Sequence, residues 1–179
     1  LAITQVIRRE NGFLKRLRAT PLPASTYLAA VVLSTLAVFA LQMLVTLGLG
    51  VTLYDARGPE RWGQLALLVV IGGVCFAGMG FGAAALIRSS EGSSAVVNLV
   101  VLPMAFLSGA FGPTKDYPDA LQAVADVLPL TYLIDLLDRA YLEDRSIWGD
   151  PTALAVLLAW GVAGLLVAWR RFEWQPRER

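Results

Sequence analysis

The chain has 179 residues, 56% of them hydrophobic and 16% charged, with a formal net charge of +1; soluble domains carry charge on about a quarter of their residues, so the composition excludes an ordinary soluble domain and indicates an integral membrane protein. It contains no histidine, which removes Ser-His-Asp and Cys-His nucleophile systems, HExxH zinc sites and histidine proton relays. A single cysteine, Cys75, permits neither an intrachain disulfide nor a thiolate metal cluster and reads as a small buried hydrophobe.

In chain order, the first feature is the run QVIRRENGFLKRLRATP. Val6, Ile7, Phe13, Leu14 and Leu17 fall near one helical face, with Arg8, Lys15, Arg16 and Arg18 on others. Gly12 weakens such a helix by roughly 1 kcal/mol relative to Ala, and Pro21 with Pro23 ends it. On residues alone this is a juxtamembrane basic helix, held to anionic lipid by about 1 kcal/mol per Lys or Arg. The first residue is Leu and no signal peptide is recognisable, so the sequence reads as lacking an N-terminal portion.

A hydrocarbon core roughly 30 Å thick needs about 20 helical residues, and four segments qualify as spans: 27–51, 65–87, 95–111 and 152–169. The third contains Pro103, Gly109 and Gly112 and is expected to be broken or distorted near its outer end. The fourth begins with Asp150 as a cap and Pro151 in its first turn. Between the last two spans, 118–145 is too polar to cross. Leu121, Val124, Ala125 and Leu128 recur at helical spacing up to Pro129, where a second helix starts. That helix sets Thr131, Asp135 and Asp138 against Leu130, Leu133, Ile134, Leu137 and Tyr141. Two short amphipathic helices, lying at the interface or dipping back into the membrane, fit this pattern.

The run GVCFAGMGFGAAA lacks both a preceding strand and a following Lys, so it is not a nucleotide loop, and neither is GPTK. Gly78 and Gly82 form a small-xxx-small pair for close helix packing. Inside the spans the amide side chains are Gln42 and Asn98, read as interhelical hydrogen-bonding groups or as pathway-lining residues. No charged residue falls in the predicted hydrocarbon region, which argues against a proton-coupled pump. Asp135 and Asp138 are either the solvated face of an interfacial helix or paired carboxylates for acid/base chemistry. One set of loops holds ten basic residues against four acidic ones, and the opposite set holds five against ten. The opening run and the C-terminus are therefore expected in the cytoplasm, with 118–145 outside.

The ordered set RRENGFLKRLRATPLPASTYLAA, VLPMAFLSGAFGP, LPLTYLIDLL and AWRRFEW resembles the permease of an ABC type-2 exporter, the family of bacterial drug, polyketide and polysaccharide efflux transporters. The resemblance implies an all-α, polytopic transmembrane bundle forming one membrane domain over 1–179. It also implies a cytoplasmic coupling helix at 8–20 that docks into an ATP-binding subunit through Glu10, Gly12, Phe13, Leu14, Lys15, Arg16, Leu17 and Arg18. Leu1 to Ile7 would be the last turns of a preceding span, the chain being a C-terminal piece of a six-span protein. Pro103, Ser108, Gly109 and Pro129 would belong to a re-entrant extracellular gate. ATP and Mg would be bound by the partner subunit and none directly by this chain. A second permease, the bilayer of the cell membrane and a hydrophobic or amphipathic substrate complete the expected partners, with no nucleic acid. Two alternatives stand beside this: a membrane enzyme acting on lipid or isoprenoid head groups through Asp135 and Asp138, and a non-catalytic scaffold self-associating through Gly78 and Gly82.

Overall fold

The computed structural model describes residues 1–13, 16, 19, 23–87, 89–112, 114 and 117–171. The helices are α1 (Ala2–Glu10), α2 (Ala24–Tyr54), α3 (Trp62–Leu86), α4 (Ser90–Leu107), α5 (Asp119–Ala125), α6 (Pro129–Tyr141) and α7 (Pro151–Arg171), with a 3-10 turn at Ile147–Gly149. Among the described residues there is no strand. Three helices are long and apolar enough to cross a membrane: Ser25–Tyr54, Trp62–Leu86 and Pro151–Arg171.

Local chemistry sets the boundaries. Asp55 ends α2 in the left-handed region at φ 48°, allowing the Ala56 N–H to reach back to the Gly50 carbonyl at 3.1 Å; aspartate tolerates this conformation better than most side chains. At the start of α7 the Asp150 carboxylate accepts from the Ala153 N–H at 3.1 Å, as its sequence suggests. The expected span 95–111 is displaced. Its helix is Ser90–Leu107, because the polar residues Ser90 to Ser94 extend the first turns, and it continues through Pro103. It stops at Ser108, whose N–H and hydroxyl both donate to the Met104 carbonyl, before Gly109 turns the chain at φ 85°.

The centre of the fold is the seam between α3 and α7. A methyl group added at Gly78 would lie 2.6 Å from the Gly161 carbonyl oxygen, and one at Gly164 would lie 2.5 Å from the Gly78 carbonyl carbon. The two backbones therefore touch, which only glycine permits. Cys75 sits against Gly161 and Gly82 against Gly164, so residue numbers rise together along the seam and the helices run parallel. By the same test Leu1 lies against Gly80 and Arg9 against Ile87, so α1 is parallel to α3 too.

Two parallel helices in sequence require a return path. α4, with 18 residues, is about 27 Å long, whereas α3, with 25 residues, is about 38 Å long. α4 starts beside the end of α3, so it climbs most of the way back and α5 with α6 complete the route. α5 and α6 meet at a bend of 80°. The main core joins α3, α6, the 3-10 turn and α7 through Leu65, Leu68, Cys75, Leu136, Ala140, Ile147, Ala153 and Leu157. A smaller cluster of Val6, Ala84 and Ile87, with Val97, joins α1, α3 and α4. Arg8, Arg9, Arg170 and Arg171 mark the basic end of the bundle. The opposite, acidic end carries the connections before α3 and α7.

Candidate coupling and gating sites

At the basic end, α1 turns Ala2, Gln5, Val6 and Arg9 inward, a spacing that places all four on one helical face. Arg9 is 4% exposed and its guanidinium donates to two carbonyls at the end of α3, Ala84 at 3.2 Å and Ile87 at 2.6 Å. The last four carbonyls of a helix lack intrahelical donors and carry the negative end of its dipole. A buried guanidinium satisfies both needs, and with charge-assisted bonds. The Tyr27 hydroxyl donates to Gln5 Oε1 at 2.7 Å and accepts from Arg8 at 3.3 Å, tying α1 to the first turn of α2.

α1 ends at Glu10 and the chain turns through Asn11 and Gly12, the latter at φ 68°. This separates Val6, 1% exposed, from Phe13, 46% exposed, while Ile7 lies on the outer face of α1 itself at 41%. The apolar face expected to run on from Val6 is thus interrupted before Phe13, because a left-handed glycine breaks the helical register. Glu10 belongs to α1, Gly12 is the turn, and Phe13 and Arg16 are exposed beyond it. The Arg8 guanidinium lies 5.7 Å from the Phe13 ring centre. Leu14, Lys15, Leu17 and Arg18 lie outside the described residues.

A cavity of about 500 Å³ opens between α1, α2, α3 and α4, lined by Gln5, Arg8, Thr35, Phe39, Phe76 and Met104 among others. Gln42 and Asn98 do not line it; both lie on exposed helix faces. Gly78 and Gly82 are occupied by α7 within the same chain, which leaves that face closed to self-association. Their partners Gly161 and Gly164 were not singled out from the sequence, although the two glycines stand one helical turn apart in LLAWGVAGLL.

Toward the acidic end, the bend between α5 and α6 is an elbow whose backbone is satisfied by side chains. Three consecutive carbonyls, Ala125, Asp126 and Val127, accept from Thr131 Oγ1 at 2.8 Å, Tyr132 Oη at 2.6 Å and Trp160 Nε1 at 2.9 Å. Pro129 starts α6 and is fully buried. Trp160 lies about 14 Å along α7 from Pro151, and Gly72, which meets Leu133, lies about 15 Å along α3 from Trp62. The elbow therefore sits near the middle of both long helices. Neither Tyr132 nor Trp160 stood out in the sequence, since nothing local marks an aromatic as a donor to a distant carbonyl.

Of the remaining candidates, Pro103 is exposed on α4, Ser108 is buried at its end and Gly109 is in the turn beyond. The Tyr117 hydroxyl donates to the Phe106 carbonyl at 2.8 Å, folding the segment after α4 back on it. Asp135 and Asp138 lie on the exposed face of α6. Asp135 is raised above the ordinary carboxylate value by partial desolvation and then by repulsion from Asp138 and Asp150, and Asp138 by desolvation and then Glu143. At the acidic end Arg61 donates to Asp144, at 2.8 Å to the carboxylate and 3.0 Å to the carbonyl. The Glu60 side chain first, and then Arg61, hold the Asp144 carboxyl below its usual range. The Tyr141 hydroxyl donates to Arg57 O at 2.9 Å, so the α2–α3 connection is tied to the end of α6. Among the described residues no group of three or more acidic or cysteine side chains is arranged to hold a metal.

Residues 1–142 match the profile of the family described as ABC-2 type transporter. The chain belongs to the ABC-2 type transporter family. This ABC-2 chain is 28% identical over 130 residues to the putative transport permease YvfS of Bacillus subtilis (strain 168), covering 72% of this chain and 53% of YvfS. It is 26% identical over 154 residues to the probable multidrug ABC transporter permease YbhR of Escherichia coli (strain K12), covering 84% and 42% respectively. Against Nodulation protein J of Rhizobium leguminosarum bv. viciae it is 38% identical over 112 residues, or 59% and 40%. The chain thus spans about half, or less, of the length of these curated relatives. No solved structure matches it. With its long apolar helices, the ABC-2 chain is a multi-pass membrane protein.

Proposed function

We propose that the chain forms part of the membrane pathway of an exporter driven by a separate ATP-binding subunit. The segment from Glu10 to Arg18 docks on that subunit at the cytoplasmic face, and the α5–α6 elbow closes the path from outside. The observation that carries this reading is the break at Gly12. Before it α1 is fixed to the bundle; beyond it Phe13 and Arg16 are exposed. An exposed aromatic beside basic groups, held on a rigid base, is suited to anchoring in a cleft of a soluble protein.

The parallel course of α1 and α3 supports the reading of α1 as the end of a preceding span. The return path supports α4 as a further crossing. Basic residues gathered at one end support its placement in the cytoplasm. In lipid a bend at mid-depth is tolerated only where its backbone groups are satisfied by protein, and the three donors at the elbow meet that condition for a re-entrant gate. ATP and Mg belong to the partner subunit, and a second permease completes the pathway. The cavity, apolar with a few polar groups, suits a hydrophobic or amphipathic substrate, in keeping with the name of the relative YbhR.

The test is co-expression of the complete permease with its ATP-binding subunit. Phe13→Asp and Leu17→Glu are expected to reduce the ATP-binding subunit retained on the purified permease by about tenfold, equivalent to about 1.4 kcal/mol. If both variants retain the subunit at the wild-type level, the docking assignment is wrong.

A further inference from the structure

We propose that Arg9 is the positioning residue that ties the docking segment to α3, so that motion imposed at the ATP-binding subunit is delivered to the α3–α7 pair. The inference deepens the function proposed above and rests on it.

Arg9 differs from the basic residues around it. A cation that served to orient the chain or to meet lipid head groups would sit in water or among those head groups, as the exposed Arg16 does. Arg9 is instead 4% exposed, and burying a guanidinium is costly unless its charge and its donors are met. Here its two terminal nitrogens donate to the end of one helix, at Ala84 O and Ile87 O. Val6, one turn earlier on the same face, packs with Ala84 and Ile87. The contact is therefore an apolar footing with a two-pronged polar clamp at its tip.

Its place in the chain gives the clamp its role. Arg9 is the last buried residue of α1 before the Gly12 turn, so a force applied beyond the turn reaches α3 at the clamp, beside the route to α2 through Arg8 and Tyr27. α3 cannot move without α7, because their backbones touch at Gly78, Gly161 and Gly164. α7 in turn holds the elbow through Trp160 and Val127. Arginine is required in this position because its planar fork bridges two carbonyls at once. Lysine presents a single point of charge.

The experiment uses the complete permease with its ATP-binding subunit in lipid nanodiscs, with native cysteines replaced and Leu142→Cys as a reporter; Leu142 is 69% exposed beyond α6. The readout is the rate of labelling by fluorescein maleimide without nucleotide and after trapping with ATP and vanadate. Arg9→Gln is expected to keep the ATP-binding subunit and its ATP hydrolysis while the nucleotide-dependent change in labelling falls by about fivefold or more, the lower end of typical coupling. Arg9→Lys is expected to fall between this variant and wild type, and it carries the test if Arg9→Gln does not fold. A wild-type labelling response in the variant that folds overturns the proposal, as does loss of the ATP-binding subunit from it, or a wild-type complex whose labelling ignores nucleotide. A wild-type permease that retains no ATP-binding subunit overturns the functional reading itself.

Discussion

With the elbow set in the membrane as proposed above, Trp160 shows what a single side chain does in a setting poor in water. Its indole N–H is the donor for Val127 O, a carbonyl freed by the end of a seven-residue helix. Trp160→Phe keeps most of the ring and removes the donor, leaving that carbonyl unsatisfied at a cost of about 1–3 kcal/mol. The expected result is a lower midpoint of thermal unfolding in detergent, with the label reactivity of a cysteine placed at Val127 increased. The sequence revealed neither partner of this bond, nor those of Arg9 and Arg61, which lie 75 and 83 residues away. Charge counting assigns such residues to an end of the bundle. It does not say which of them will be buried on a helix terminus, because that depends on which helices become neighbours.

At the scale of elements, the spans were legible because hydropathy over some 20 residues is a local property. α2, α3 and α7 lie within a few residues of the segments read from composition. α4 begins earlier than the segment read from composition because polar residues join its first turns, and the left-handed Gly12 follows the end of α1. The α3–α7 seam was half legible. Small-xxx-small spacing marks a face for close approach, but the mate is fixed only by topology. The seam makes a direct prediction. A Cβ at Gly164 would meet the Gly78 backbone at 2.5 Å, whereas one at Gly48 would meet nothing within 4 Å. Gly164→Ala is expected to destabilise by about 1–3 kcal/mol through overpacking. Gly48→Ala is expected to be neutral or to stabilise by up to about 1 kcal/mol, since glycine is unfavourable inside a helix. Thermal unfolding of the two variants in the same detergent distinguishes them; equal midpoints would show that the seam is not held in this register.

For the whole molecule, the alternation of direction among α1, α2, α3, α4 and α7 puts Tyr54 and Trp148 at the acidic end and Ala19 at the basic end. Both aromatics are well exposed, at 82% and 63%. Cysteines at Tyr54 and Trp148 are expected to react with an impermeant maleimide added to intact cells, and a cysteine at Ala19 only after permeabilisation; the reverse pattern would invert the orientation. The all-helical character, the long apolar helices and the uneven distribution of charge could be read without a structure. The height of each helix relative to its neighbours could not, and it has a consequence for the surrounding lipid. α2, at 31 residues, is about 46 Å long, against about 27 Å for α4, yet both show apolar side chains outward, among them Leu41 and Leu53 on α2 and Leu99 and Phe106 on α4. A bilayer with a hydrocarbon core of about 30 Å meets a wall too tall on one side and too low on the other. Tilt of the first and thinning around the second relieve this hydrophobic mismatch. With α4 as the further crossing proposed above, head groups and water are drawn closest to the midplane beside it. That low sill in the rim is where an amphipathic molecule has the shortest distance to travel between protein and membrane surface.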